Sequence, residues 1–132
     1  MKSVAICGSA KRAKKEIEEF VTQLRKRGVI VFPPVLLIAE ENEWEKLSPD
    51  IKKAACVGLT LDHFFNQIKK ADVCFIYNKD GYIGNSVTME ITCAFIMGKP
   101  TFAKEPDLAE PFRAVLINEI VPDVDTLILK LL

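Results

Sequence analysis

The chain has no excess charge of either sign, with 18 basic and 18 acidic residues among 132. Nothing in that balance recommends a nucleic acid polymer or an anionic membrane as partner. It has one histidine and four cysteines, Cys7, Cys56, Cys74 and Cys93, with no C-x-x-C pair. A structural zinc site built on paired local ligands is therefore not expected, and the apolar surroundings of the cysteines suggest reduced core thiols. No apolar run approaches the roughly twenty residues of a membrane span, and no signal-peptide pattern is present, so a cytoplasmic location is expected. The turn after Gly8 lacks the dinucleotide-binding spacing and there is no G-K-[ST] phosphate loop, which removes most of the case for NAD or ATP chemistry. Repeats and low-complexity linkers are absent as well.

What is present reads as one domain over residues 1–132, with 49% apolar content sufficient for a core between helical layers. Lys2 to Cys7 reads as a buried strand that ends at Gly8-Ser9. A helix with Ile17, Phe20, Val21 and Leu24 at helical spacing follows, closed by Gly28. Val29 to Phe32 is a second strand, stopped by Pro33-Pro34; the chain then wanders from Glu40 to Leu47 and restarts at Ser48-Pro49 as a helix cap and first turn. Gly58 is expected to break that helix and Thr60 to cap another, carrying Phe64, Phe65 and Ile68. Val73 to Tyr77 is the central strand. A helix ending at Gly98, a strand at Pro100 to Ala103, a short helix at Pro111 to Leu116 and a last helix from Val124 to Leu131 complete the chain. Alternating strands and helices predict an α/β fold: a Rossmann-like, flavodoxin-like three-layer sandwich with a mostly parallel sheet. Ligands of such sheets gather beyond the carboxyl ends of the strands.

The most informative stretch is Gly81 to Glu90. Glu90 is the only Asp, Glu, Lys, Arg or His between Asp80 and Lys99, and it lies in an apolar helix. A carboxylate there is expensive to bury without a charged or hydrogen-bonding partner, and such mismatches concentrate at reactive sites. Asn85 or Ser86 can cap the helix, which places Glu90 too far along to be a capping-box acid. The residues after Glu90 are apolar on almost every side, so burial of the helix is expected.

Asp62 and His63 are expected in the first turn of the Thr60 helix, at the mouth of the same cleft; Asp62 also suits a helix N-terminus on electrostatic grounds alone. Gly8, Ser9 and Arg12 form a strand end, a small turn and a cationic helix start that can hold a phosphate, although a solvated helix face is the commoner use of a run such as Lys11 to Lys15. Tyr77, Asp80 and Tyr82 can offer a phenol or an acid to a sugar or base, or serve as packing anchors. Trp44 can cover a ligand or fasten a loop.

Three segments, C-G-S at 7–9, L-D-H-F-F-N-Q-I-K-K-A-D at 61–72 and G-N-S-V-T-M-E-I-T-C-A-F-I-M-G-K-P at 84–100, carry a family resemblance. Their order resembles the nucleoside 2-deoxyribosyltransferase superfamily, which includes 2′-deoxynucleoside 5′-phosphate N-hydrolases, over about four-fifths of the chain. The resemblance implies cleavage of the N-glycosidic bond of a 2′-deoxynucleoside or its 5′-monophosphate, by hydrolysis or base exchange, with Glu90 as nucleophile. It implies Asp62 or His63 as the accompanying acid, and contacts from Ser9, Arg12 and Ser86 to a 5′-phosphate. Gly8, Tyr82, Asn85 and Met89 complete the expected substrate-binding set. No metal or organic cofactor is expected, and the resemblance implies a homodimer or larger homo-oligomer. The alternative function is a non-catalytic nucleotide-binding or signalling domain in which Glu90 only hydrogen-bonds a ribose hydroxyl.

Overall fold

The computed structural model describes residues 2–34 and 45–132. Trp44 and most of the Glu40 to Leu47 stretch lie outside them. The described residues form a five-stranded, all-parallel sheet of order β2-β1-β3-β4-β5, the flavodoxin-like arrangement. Its strands are β1 (Ser3–Gly8), β2 (Ile30–Phe32), β3 (Val73–Tyr77), β4 (Thr101–Ala103) and β5 (Glu119–Ile120). β1 and β3 share the longest register, from Val4 opposite Val73 to Gly8 opposite Tyr77. β5 was not expected from the sequence, because two residues are too short to show any alternation.

The two faces of the sheet carry different side chains. Val4, Ile6, Val73, Phe75 and Tyr77 point to one face, under α1 (Ala10–Lys26) and the last helix (Val124–Leu131). Phe20 of α1 stacks on Phe75 with ring centroids 4.8 Å apart. The other face presents the smaller Ala5, Cys7, Cys74 and Ala103 beside Ile76. Small side chains there leave depth for polar groups that reach in from the helices above.

Those helices depart from expectation in an instructive way. α2 (Pro49–Leu59) starts as expected, with the Ser48 hydroxyl accepting from the Ile51 N–H. It then runs through Gly58 without a break. Thr60 is no cap: its backbone is helical and its hydroxyl donates back to the Cys56 carbonyl at 2.7 Å. The chain continues as a π-helix from Thr60 to Gln67 and closes with α3 (Ile68–Lys70). A lone glycine does not stop a helix that its neighbours extend, and π-helical segments are rare and frequent at functional sites.

α4 (Asn85–Ile96) carries Glu90. Its N-cap is Gly84, in extended backbone and without a side-chain cap bond, so neither Asn85 nor Ser86 caps it. The helix is not buried on all sides either. Val87, Glu90, Ile91 and Ala94 face inward, whereas Met89, Phe95 and Ile96 are exposed. One sheet face covers only one side of a helix, so the remaining apolar residues stay in solvent. Of the four free cysteines, Cys7 and Cys74 are core residues, Cys93 is half-buried, and Cys56 is exposed, contrary to the expectation for that thiol.

Candidate active site

Glu90 is the sixth residue after the Gly84 cap, and this places it more than one turn inside α4, against the sheet. It is 6% exposed, and His63, reaching from the π-helix, is 3% exposed. His63 is thus not the cleft-mouth residue the sequence suggests: the uninterrupted helix turns it into the core and leaves its neighbour Asp62 in solvent. Glu90 Oε2 lies 2.7 Å from His63 Nε2. That is ion-pair distance, but the contact lacks the alignment of a hydrogen bond, so Oε2 has no aligned donor among the described residues.

The far side of the imidazole is fixed by a residue that the sequence did not single out. Nδ1 is 2.7 Å from Gln67 Oε1, and Gln67 Nε2 donates to Asp62 Oδ2 at 3.2 Å. Because the amide turns its NH2 toward the Asp62 carboxylate, its oxygen faces the ring, which assigns a proton to Nδ1. Nε2 then needs its own proton, or one shared with the carboxyl, to sit 2.7 Å from a carboxylate oxygen. Burial opposes the imidazolium, but the Glu90 contact and charge, with Gln67 and Asp62 behind, raise the His63 pKa above its usual value. A chain of polar contacts therefore runs from the buried carboxylate to an exposed one. Gln67 stands four residues after His63, a helical neighbour, and that spacing is the only sequence signal it carries.

The floor of the site is Cys7 Sγ, 3.7 Å from His63 Nε2 and 3.6 Å from Cys74 Sγ. Burial, Cys74 and Glu90 push the Cys7 thiol well above the usual thiol range, so it is a neutral group. Cys7, His63 and Glu90 each offer one metal-ligand atom, and the three atoms lie within 4.8 Å of one another.

Two helix starts border the same edge of the sheet. Ser9 is the N-cap of α1 but makes no side-chain cap bond, and the first turn of α1 contains no acid. The first turn of α4 contains none either. Both leave N–H groups available to an anion. The Arg12 guanidinium stacks over the Tyr82 ring, 3.6 Å from its centroid. Tyr82 in turn backs on Gly84, where a Cβ would sit 3.2 Å from the phenol oxygen. Tyr82 therefore joins the two helix starts, and Asn85, Ser86 and Met89 are exposed beside it. Gly8 has a packing reason of its own, since a Cβ there would lie 2.8 Å from Ile17 Cδ1 and 3.1 Å from the Tyr77 carbonyl oxygen.

The loop before α4 is held from behind by Arg113, another residue without a sequence signal. Its guanidinium makes a two-pronged pair with Asp107, Nε to Oδ2 at 2.5 Å and Nη2 to Oδ1 at 2.9 Å. Its remaining arm donates to Thr88 Oγ1 at 3.0 Å and to the Ile83 carbonyl at 3.4 Å. A groove lined by Lys15, Glu16, Phe20, Gln23, Tyr77 and Asp123 lies on the opposite face of the sheet and does not contain Glu90.

The fold and this edge of the sheet define a flavodoxin-like α/β protein with a buried carboxylate at the carboxyl ends of its central strands. No protein-family model matches the chain, and no curated protein sequence matches it. Among solved structures it is similar to a CMP N-glycosidase of Clostridium botulinum, with a TM-score of 0.57 over 98% of this chain and 97% of that one, at 22% identity. Similarity at that identity shows a shared fold. Among the described residues, no helix is long and apolar enough to cross a membrane.

Proposed function

We propose that the protein cleaves the N-glycosidic bond of a nucleoside or nucleoside 5′-monophosphate, by hydrolysis or base exchange, with Glu90 as nucleophile. The observation that carries this reading is a nine-tenths buried carboxylate paired to an imidazole at the edge of the sheet where ligands of this fold bind. The fold shared with a CMP N-glycosidase supports the same chemistry. A Glu90 oxygen attacks the anomeric carbon as the bond to the base breaks, and the base departs with the electron pair and takes up a proton. Water hydrolyses the resulting glycosyl ester, or a second base displaces it. The His63 imidazole lies against the Glu90 carboxylate as its buried partner, and Gln67 and Asp62 hold the ring. Ser9, Arg12 and Ser86, with the two helix starts that lack a side-chain cap bond, receive the 5′-phosphate.

The test is to incubate the protein with nucleosides and 5′-monophosphates, with and without a second base, and to separate the products by chromatography. Release of free base is expected. Nucleotide binding without base release would favour the non-catalytic reading. In the same panel Arg12→Ala should weaken monophosphates by about tenfold or more relative to nucleosides, because a charge-assisted phosphate contact is worth about 1.5 to 3 kcal/mol. Equal effects on both substrate classes would remove Arg12 from the phosphate site.

The exposed Met89, Phe95 and Ile96 on the helix that carries Glu90 support pairing of two copies through α4. Equilibrium sedimentation should show a dimer that Phe95→Glu dissociates; a monomeric wild type would end this part of the reading.

A further inference from the structure

We propose that Cys7, His63 and Glu90 form a binding site for one thiophilic divalent cation of the zinc(II) class. The three residues come from β1, the π-helix and α4. One donor atom of each, Cys7 Sγ, His63 Nε2 and Glu90 Oε2, lies within 4.8 Å of the other two. Sulfur and nitrogen are 3.7 Å apart, close to the spacing that a tetrahedral zinc with bonds of about 2.3 and 2.0 Å requires. Nitrogen and oxygen, at 2.7 Å, must open by about 0.6 to 0.8 Å to reach the spacing that a tetrahedral zinc requires.

Two further observations point to a ligand and not to a self-contained cluster. Glu90 is nine-tenths buried, yet its Oε2 has no aligned donor among the described residues. Gln67 Oε1 already accepts at His63 Nδ1, which is the outer contact that metal-bound imidazoles use to turn the other nitrogen toward the metal. One sulfur, one nitrogen and one oxygen donor favour zinc over magnesium or calcium, which take oxygen ligands. Three protein ligands leave the fourth position to water.

Binding moves protons and no electrons. The Cys7 S–H proton passes to buffer as the sulfur–metal bond forms, and Nε2 gives up its proton as its lone pair turns to the metal. The +2 charge offsets the burial that otherwise keeps the thiol neutral. The site does not rest on the glycosidase reading, and its test contains no turnover. Where Glu90 is the nucleophile, the cation holds the reacting oxygen and is an inhibitor.

Cobalt(II) chloride titrated into the full chain reads the site directly through the thiolate-to-cobalt charge-transfer absorption, with metal content measured after gel filtration. One cobalt per chain is expected, displaced by zinc. Cys7→Ser should abolish the charge-transfer band and weaken binding by about a hundredfold, and Glu90→Gln should weaken it by about tenfold while keeping the band. Both variants are to be checked by circular dichroism. Cys56→Ser, which removes an exposed thiol outside the cluster, should behave as wild type. No stoichiometric cobalt on the wild type, a band that survives in Cys7→Ser, or a band lost in Cys56→Ser would each overturn the proposal.

Discussion

Glu90→Gln is expected to fold and to lose base release by at least about a hundredfold. The amide keeps the size of the side chain, and its NH2 can donate to a neutral His63 Nε2, so the buried contact survives without its charge. An amide cannot attack the anomeric carbon as a carboxylate does. Wild-type protein quenched during turnover should carry a glycosyl adduct by intact mass, mapping to Glu90 by peptide analysis, and the variant should carry none. Near-normal base release from the variant would sink the nucleophile assignment. The prediction draws its size from the burial of Glu90 against an imidazole, whereas the other buried carboxylate among the described residues, Asp107, is taken up by the Arg113 guanidinium.

The largest stability effect is expected from Arg113→Ala, at about 3 kcal/mol in denaturant unfolding. Asp107 has a fully buried side chain and Arg113 one that is 13% exposed, so truncation leaves a carboxylate in the interior with its main counter-charge gone. The same change releases Thr88 and the Ile83 carbonyl and loosens the entry into α4, which should lower turnover as well. The pH dependence follows from the sign of the Asp107 shift. The Arg113 guanidinium, helped by the Ala109 and Glu110 backbone N–H groups, holds the Asp107 pKa below the usual carboxylate range. A carboxyl lowered in the folded state contributes stability that is present above its unfolded pKa and is lost as pH falls through the folded value. The gap between wild type and Arg113→Ala should therefore shrink as Asp107 protonates in acid. A gap that is constant across that range would assign the loss to packing and not to the ion pair.

Much of the architecture was legible from residue patterns. The apolar runs at Val4 to Cys7 and Val73 to Tyr77 have no polar interruption, which marks strands covered on both faces, and both are strands within a residue of expectation. Gly28 and Gly98, at φ of 83° and 72°, stand just past the ends of their helices, where left-handed backbone favours glycine. Ser48-Pro49 opened a helix as expected. The failures share a cause. Thr60 has the composition of a cap, yet the preceding helix runs on, so the local preference of a hydroxyl residue was overridden by continuation of hydrogen bonding on either side. Asn85 and Ser86 failed as caps because Gly84 already holds the extended backbone that a cap requires.

The chain order of apolar runs, glycines and one isolated carboxylate was enough to decide the parallel sandwich and to single out Glu90, because both depend on local periodicity and on the cost of burying charge. The partners of Glu90 were decided only in three dimensions. His63 became its buried counterpart because a π-helix turned the ring inward, and Gln67 acquired a role through that same turn. Cys7 entered the site because β1 lies beside β3 with only small side chains on that face. Arg113 reached Asp107, Thr88 and Ile83 across up to 30 residues of chain. Contacts of that kind depend on distance in space, and no spacing along the sequence encodes them.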